Sequence, residues 1–131
     1  MDESLALMIV GAICALMGIV MNVNPIKFDE DLLGALEGEL SERENILRNF
    51  GAQLRCAIGA LAISIGIIAI YNRNLATNDA ENLLVSMGIG FVILMGVIAG
   101  GYYRGFVDRL IVPPLVIFTV LGGVCFYAGL M

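Results

Sequence analysis

Apolar residues in this chain do not alternate with polar ones. They run on in four blocks, roughly 5–23, 52–71, 83–103 and 110–131, parted by polar stretches. A helix needs ~20 residues to cross a ~30 Å hydrocarbon core; each block is about that long, and Arg55 is the one formal charge within them. Lipid forbids unpaired backbone, and a barrel strand would show period-two alternation, so the blocks predict helices. The expected fold is all-α: a polytopic membrane protein, an antiparallel four-transmembrane-helix bundle making one domain over residues 1–131, with the lipid bilayer as its solvent.

The polar stretches refine this picture. The connection 24–51 is the only long one, and Asn24-Pro25 marks the stop of helix one. Phe28, Leu32, Leu36 and Leu40 recur every fourth residue with Leu33 beside them, which predicts a short amphipathic helix in this connection. Its other face is acidic, with Asp29, Glu30, Asp31, Glu37 and Glu39. That face suits anionic headgroups poorly, which leaves a lid on the helix ends, a docking surface for a partner, or a solvated loop helix.

Ser41 followed by Glu44 has the spacing of a capping box, so the second helix is expected from near Glu42 to Tyr71, starting about ten residues before the hydrocarbon. At 100° per residue, Asn45, Arg48, Asn49, Ala52, Arg55, Cys56 and Gly59 share one face. Leu47, Phe50, Leu54, Ile58, Leu61, Ile65 and Ile68 share the opposite one. Small and polar residues seek helix contacts in a membrane while bulky apolar ones can face lipid, so the arginine-bearing face is expected inward. Asn78 and Glu81 are spaced as a second capping box, opening helix three. Gly96 and Gly100 within it form Gly-x-x-x-Gly, a spacing for close packing inside the bundle or for a homodimer seam. Helix four begins at "IVPPL", where proline is tolerated in a first turn.

Composition agrees with the pattern: 60% of the 131 residues are hydrophobic and 15% are charged, against roughly a quarter charged in soluble domains. "MDES" lacks a basic n-region, so the first block is expected to stay as the first transmembrane helix. Lys27, Arg43, Arg48, Arg55, Arg104 and Arg109 lie in or beside the first and third connections, and Arg73 alone lies on the other side. The positive-inside rule then puts both termini outside and the connection 24–51 in the cytoplasm; the net charge of −5 does not alter this, because acids weigh little in that rule.

Candidate chemistry is sparse. Cys14, Cys56 and Cys125 each fall within a span with no Cys-x-x-Cys pair, and the chain has no histidine. The cysteines read as small buried apolar residues, and no metal site, cofactor or catalytic residue is expected. No nucleic-acid partner is expected either. Antiparallel spans would gather polar groups at the cytoplasmic end, where Asn22 and Asn24 also lie. The candidate ligand- or headgroup-binding residues there are Asn45, Arg48, Asn49, Arg55, Tyr102, Tyr103, Arg104 and Asp108.

Arg55 is the most informative of these, since a charge inside the hydrocarbon costs roughly 2.5 kcal/mol or more at the midplane and less near the surface. It can snorkel, pair with Asp108 or a tyrosine hydroxyl, or hold an anionic ligand or headgroup. Arg104 and Asp108 could pair along one helical turn if helix three continues that far. Arg104 aimed inward with Arg48 and Arg55 would instead suit phosphate or carboxylate.

The stretch "ENILRNFGAQLRCAIGALAISIGI", followed by "GIGFVILMGVIAGGYYRGFVD", resembles a bacterial family of small four-helix membrane proteins defined as a domain of unknown function and loosely grouped with DoxX-like proteins. The resemblance rests on Asn45-x-x-Arg48, a glycine two turns on, and a glycine-rich helix three ending in Arg104 and Asp108. It implies four helices in a bacterial inner membrane; DoxX-like relatives are associated with quinone-linked oxidoreductases as small subunits. The family's last helix often carries a glutamate and this chain has none there, so no catalytic residue carries over.

The expected function is a non-catalytic accessory or scaffold subunit of a membrane assembly, with a membrane-protein partner or a second copy as its contacts. The second reading is binding or transport of a small lipid, quinone or anion in a cavity lined by the arginines. A DoxX-like membrane enzyme ranks third.

Overall fold

The computed structural model describes residues 1–34 and 38–131, and among these the regular structure is helical with no strand. The helices are α1 (Glu3–Val23), α2 (Pro25–Leu33), α3 (Glu42–Tyr71), α4 (Thr77–Tyr103) and α5 (Val112–Leu130). All but α2 are long and apolar enough to cross a membrane.

The helix boundaries follow from local chemistry. Asn24 closes α1 and caps α2, its side-chain oxygen accepting the Lys27 N–H at 3.1 Å, while Pro25 takes the first helical position. α2 ends before Gly34, whose φ of 91° and ψ of 148° lie where essentially only glycine is comfortable. The amphipathic helix is therefore shifted from its expected register. It starts earlier, at Pro25, and stops at Leu33, so Leu40 lies beyond it; Leu36 and Glu37 fall outside the described residues.

Ser41 and Glu44 do form the expected cap on α3. The Ser41 hydroxyl accepts the Glu44 N–H at 3.2 Å and donates to the Glu44 carboxylate at 3.0 Å. The second expected capping box does not form. α4 begins two residues earlier than that cap would set, at Thr77, with the Ala76 carbonyl accepting the N–H groups of Asp79 and Ala80, which places Asn78 inside the first turn.

At its other end α4 closes in a Schellman motif. The Phe106 N–H reaches the Gly101 carbonyl at 2.9 Å, the Gly105 N–H reaches the Tyr102 carbonyl at 3.1 Å, and Gly105 supplies φ of +78°. α5 opens with proline in its first turn, as the sequence implies.

The chain divides into two compact units, residues Gly11–Ile68 and residues Met1–Val10 with Ala69–Met131. In the first, α1 and α3 run antiparallel and meet through glycines. A Cβ on Gly66 would sit 2.5 Å from the Gly11 carbonyl oxygen and 2.8 Å from the Ala15 nitrogen, and one on Gly59 would sit 2.8 Å from the Gly18 carbonyl oxygen. Backbone meets backbone here, so any side chain would wedge the helices apart. On the opposite face of α3, Leu47, Phe50, Leu54, Ile58, Leu61, Ile65 and Ile68 are all exposed, the arrangement expected of a lipid-facing row.

In the second unit α4 and α5 form an antiparallel pair. Phe91 stacks on Phe118 with ring centroids 5.8 Å apart, Gly88 admits the Phe126 ring, and Gly129 lies against Val85 and the Glu81 carbonyl. Leu84, Leu121 and Cys125 are fully buried. Gly96 and Gly100 take no part: a Cβ on either would meet nothing within 4 Å. The expected packing role of this Gly-x-x-x-Gly within the fold falls instead to Gly18, Gly59, Gly66, Gly88 and Gly129.

Candidate functional site

The polar residues of the first unit are organised by α2. The helix break at Asn24-Pro25 restarts the chain at once as a second helix, and α2 lies against α3. Arg55 donates from Nε to the Asp29 carboxylate at 2.7 Å, and its guanidinium carbon lies 5.2 Å from the centroid of the Phe28 ring. Two consecutive residues of α2 thus hold one guanidinium, the carboxylate in hydrogen-bond contact and the ring through cation–π attraction. Both charged side chains are about a quarter exposed, 24% and 26%. The partner of Arg55 is therefore Asp29, a residue of the acidic face of α2, rather than Asp108 or a tyrosine hydroxyl.

Arg48 lies two turns nearer the start of α3 and is exposed. Its Nη2 donates to the Asn45 side-chain oxygen at 3.2 Å, so Asn45-x-x-Arg48 is a hydrogen bond across one helical turn. Asn49 is exposed beside them. Deeper along the helix, the Asn22 amide of α1 donates to the carbonyls of Gly18 at 3.0 Å and Cys56 at 3.3 Å, tying α1 to α3 where the glycines bring them close.

Between α2 and the first turns of α3 runs a groove of about 440 Å³. Ile26, Leu33 and Leu47 give it apolar walls; Asp29, Glu30, Glu44 and Arg48 give it charge. Of the residues expected to bind a ligand, Arg48 alone lines it. Asp29 and Glu30 were legible in the sequence as part of the acidic face of an amphipathic helix and Glu44 as part of the cap on α3, but the apposition of the two α2 acids to Arg48 depends on α2 lying against α3.

The remaining candidates lie in the second unit. Tyr102 and Tyr103 meet edge to face with centroids 5.4 Å apart, and the Arg104 guanidinium lies 4.6 Å from the Phe106 ring centroid. Because α4 ends at Tyr103 and the chain turns at Gly105, Arg104 and exposed Asp108 do not share the helical turn expected of them. The eight expected site residues are thus divided evenly: Asn45, Arg48, Asn49 and Arg55 belong to one unit and Tyr102, Tyr103, Arg104 and Asp108 to the other.

Among the described residues the regular structure is helical, and four helices of membrane-crossing length and hydropathy define a class, the integral membrane proteins. Within that class, no protein-family model, curated protein or solved structure matches this chain.

Proposed function

We propose that this protein is a non-catalytic integral membrane protein, an accessory or scaffold subunit that presents helix surfaces to a partner in the bilayer. The observation that carries this is the contrast among its glycines. Gly18, Gly59, Gly66, Gly88 and Gly129 bring helices into close contact, whereas Gly96 and Gly100, one turn apart on α4, face open space. Glycine in a helix interior costs roughly 0.5–1 kcal/mol relative to alanine. A bare stretch of backbone unused within the chain is what close approach by another helix requires.

The same reading arranges the helices as an antiparallel bundle in a bacterial inner membrane, with both termini outside the cytoplasm. The antiparallel pairs α1–α3 and α4–α5 support the bundle, and the placement of six of the seven basic residues in or beside the first and third connections supports the orientation. The DoxX-like resemblance adds a small-subunit role.

Intact-mass analysis of the protein purified in mild detergent tests the proposal. The wild type should carry a second copy or another chain, and Gly96→Leu with Gly100→Leu should lose it. A wild type that is strictly monomeric with no accompanying chain overturns the reading.

A further inference from the structure

The groove between α2 and α3 carries charge of both signs against apolar walls, and that combination is selective. Asp29 is already neutralised by Arg55. What faces an incoming molecule is then the Glu30 and Glu44 carboxylates, the Arg48 guanidinium, and the aliphatic surface of Ile26, Leu33 and Leu47. A guanidinium has five N–H donors in a fork suited to phosphate, and one nitrogen of Arg48 is engaged by Asn45. The carboxylates accept hydrogen bonds only; one Glu44 oxygen takes the Ser41 hydroxyl.

A simple anion would meet two carboxylates here, and a simple cation would meet Arg48. A zwitterion whose phosphate and ammonium are a short linker apart satisfies both. The apolar walls select a molecule that continues into hydrocarbon, and the volume falls within the usual range of ligand pockets. The groove also flanks the first turns of α3, which precede its apolar stretch and so lie at headgroup level if α3 crosses the bilayer.

We propose that this groove is a binding site for the headgroup of a bilayer aminophospholipid, with the phosphodiester on Arg48, the primary ammonium on Glu30 and Glu44, and the start of an acyl chain against Ile26, Leu33 and Leu47. This rests on the membrane-spanning reading of α3 and is independent of any partner on α4.

Native mass spectrometry of the full chain in mild detergent, titrated in turn with phosphatidylethanolamine, phosphatidylcholine and phosphatidylglycerol, tests it. Phosphatidylethanolamine should be retained about tenfold better than either of the others, since trimethylation removes every ammonium donor and the glycerol headgroup has no ammonium, a loss of at least one charge-assisted hydrogen bond. Glu30→Gln should erase the preference for phosphatidylethanolamine over phosphatidylcholine, and Arg48→Gln should lower retention of all three. Glu30→Gln changes charge with little change of shape, so it decides the matter even if Arg48→Gln alters the helical melting curve. Equal retention of the three lipids, preference for phosphatidylglycerol, a long-chain alkylamine bound as well as phosphatidylethanolamine, or a preference that survives both substitutions would each overturn the assignment.

Discussion

Arg55 and Asp29 are 26 positions apart in the chain and 2.7 Å apart in the fold. The pair explains how a guanidinium near the start of the apolar run of α3 is accommodated. An isolated charge there is costly, but α2 lies against α3 and supplies an opposite charge, with Phe28 beside it. It also explains why α2, with no residue of its own fully buried, has a defined place. One ion pair and one ring contact anchor it where apolar burial is slight.

The pair should therefore show energetic coupling. Exposed ion pairs contribute about 0.2–1 kcal/mol and breaking buried ones costs about 3–5 kcal/mol; at roughly a quarter exposure the expected coupling is about 1 kcal/mol. A double-mutant cycle of Arg55→Ala and Asp29→Asn, read by reversible unfolding in mixed micelles, measures it. Additive losses would show that the pair does not anchor α2.

The glycines should divide sharply under alanine substitution. Gly66→Ala places a methyl group against the Gly11 and Ala15 backbone and should destabilise by about 1–3 kcal/mol, the range for overpacking. Gly96→Ala meets nothing within the chain and, in micelles dilute enough to hold a single copy, should be neutral or stabilising, by up to about 1 kcal/mol from helix propensity. The same unfolding measurement compares them.

Gly105→Ala should cost about 1 kcal/mol, because φ of +78° at the end of α4 is strained for an L side chain. Gly101→Ala, four residues earlier in helical backbone with open space, is the control and should not destabilise.

The two serine- and asparagine-led helix starts should respond differently. Ser41→Ala removes the acceptor for the Glu44 N–H and should cost about 1 kcal/mol, with faster amide exchange at Glu44. Asn78→Ala removes no cap, since α4 begins at Ala76 and Thr77, and exchange at the start of α4 should be unchanged.

The number of long helices, most of their ends and the exposed apolar row of α3 were legible in the chain. Hydropathy and capping are local properties: a run such as 83–103, or Ser41 and Glu44 three residues apart, carries its own consequence whatever surrounds it. The start of α4 shows the limit even there. Asn78 and Glu81 have the spacing of a cap, but the backbone turned two residues sooner, at Ala76.

Contacts between distant segments were not legible. Sixteen glycines look alike in sequence; which of them are pressed against a neighbouring backbone depends on the register of α1 against α3 and of α4 against α5, and so Gly66 is crowded while Gly96 is open. Arg55 announced the need for a partner, and the seven acids of the first connection and Asp108 were all chemically eligible. Only the packing of α2 against α3 selected Asp29 and brought Glu30 to the groove that Glu44 and Arg48 already flank on α3. Hydropathy is summed along the chain, whereas charge pairing and steric fit are decided by distances through space.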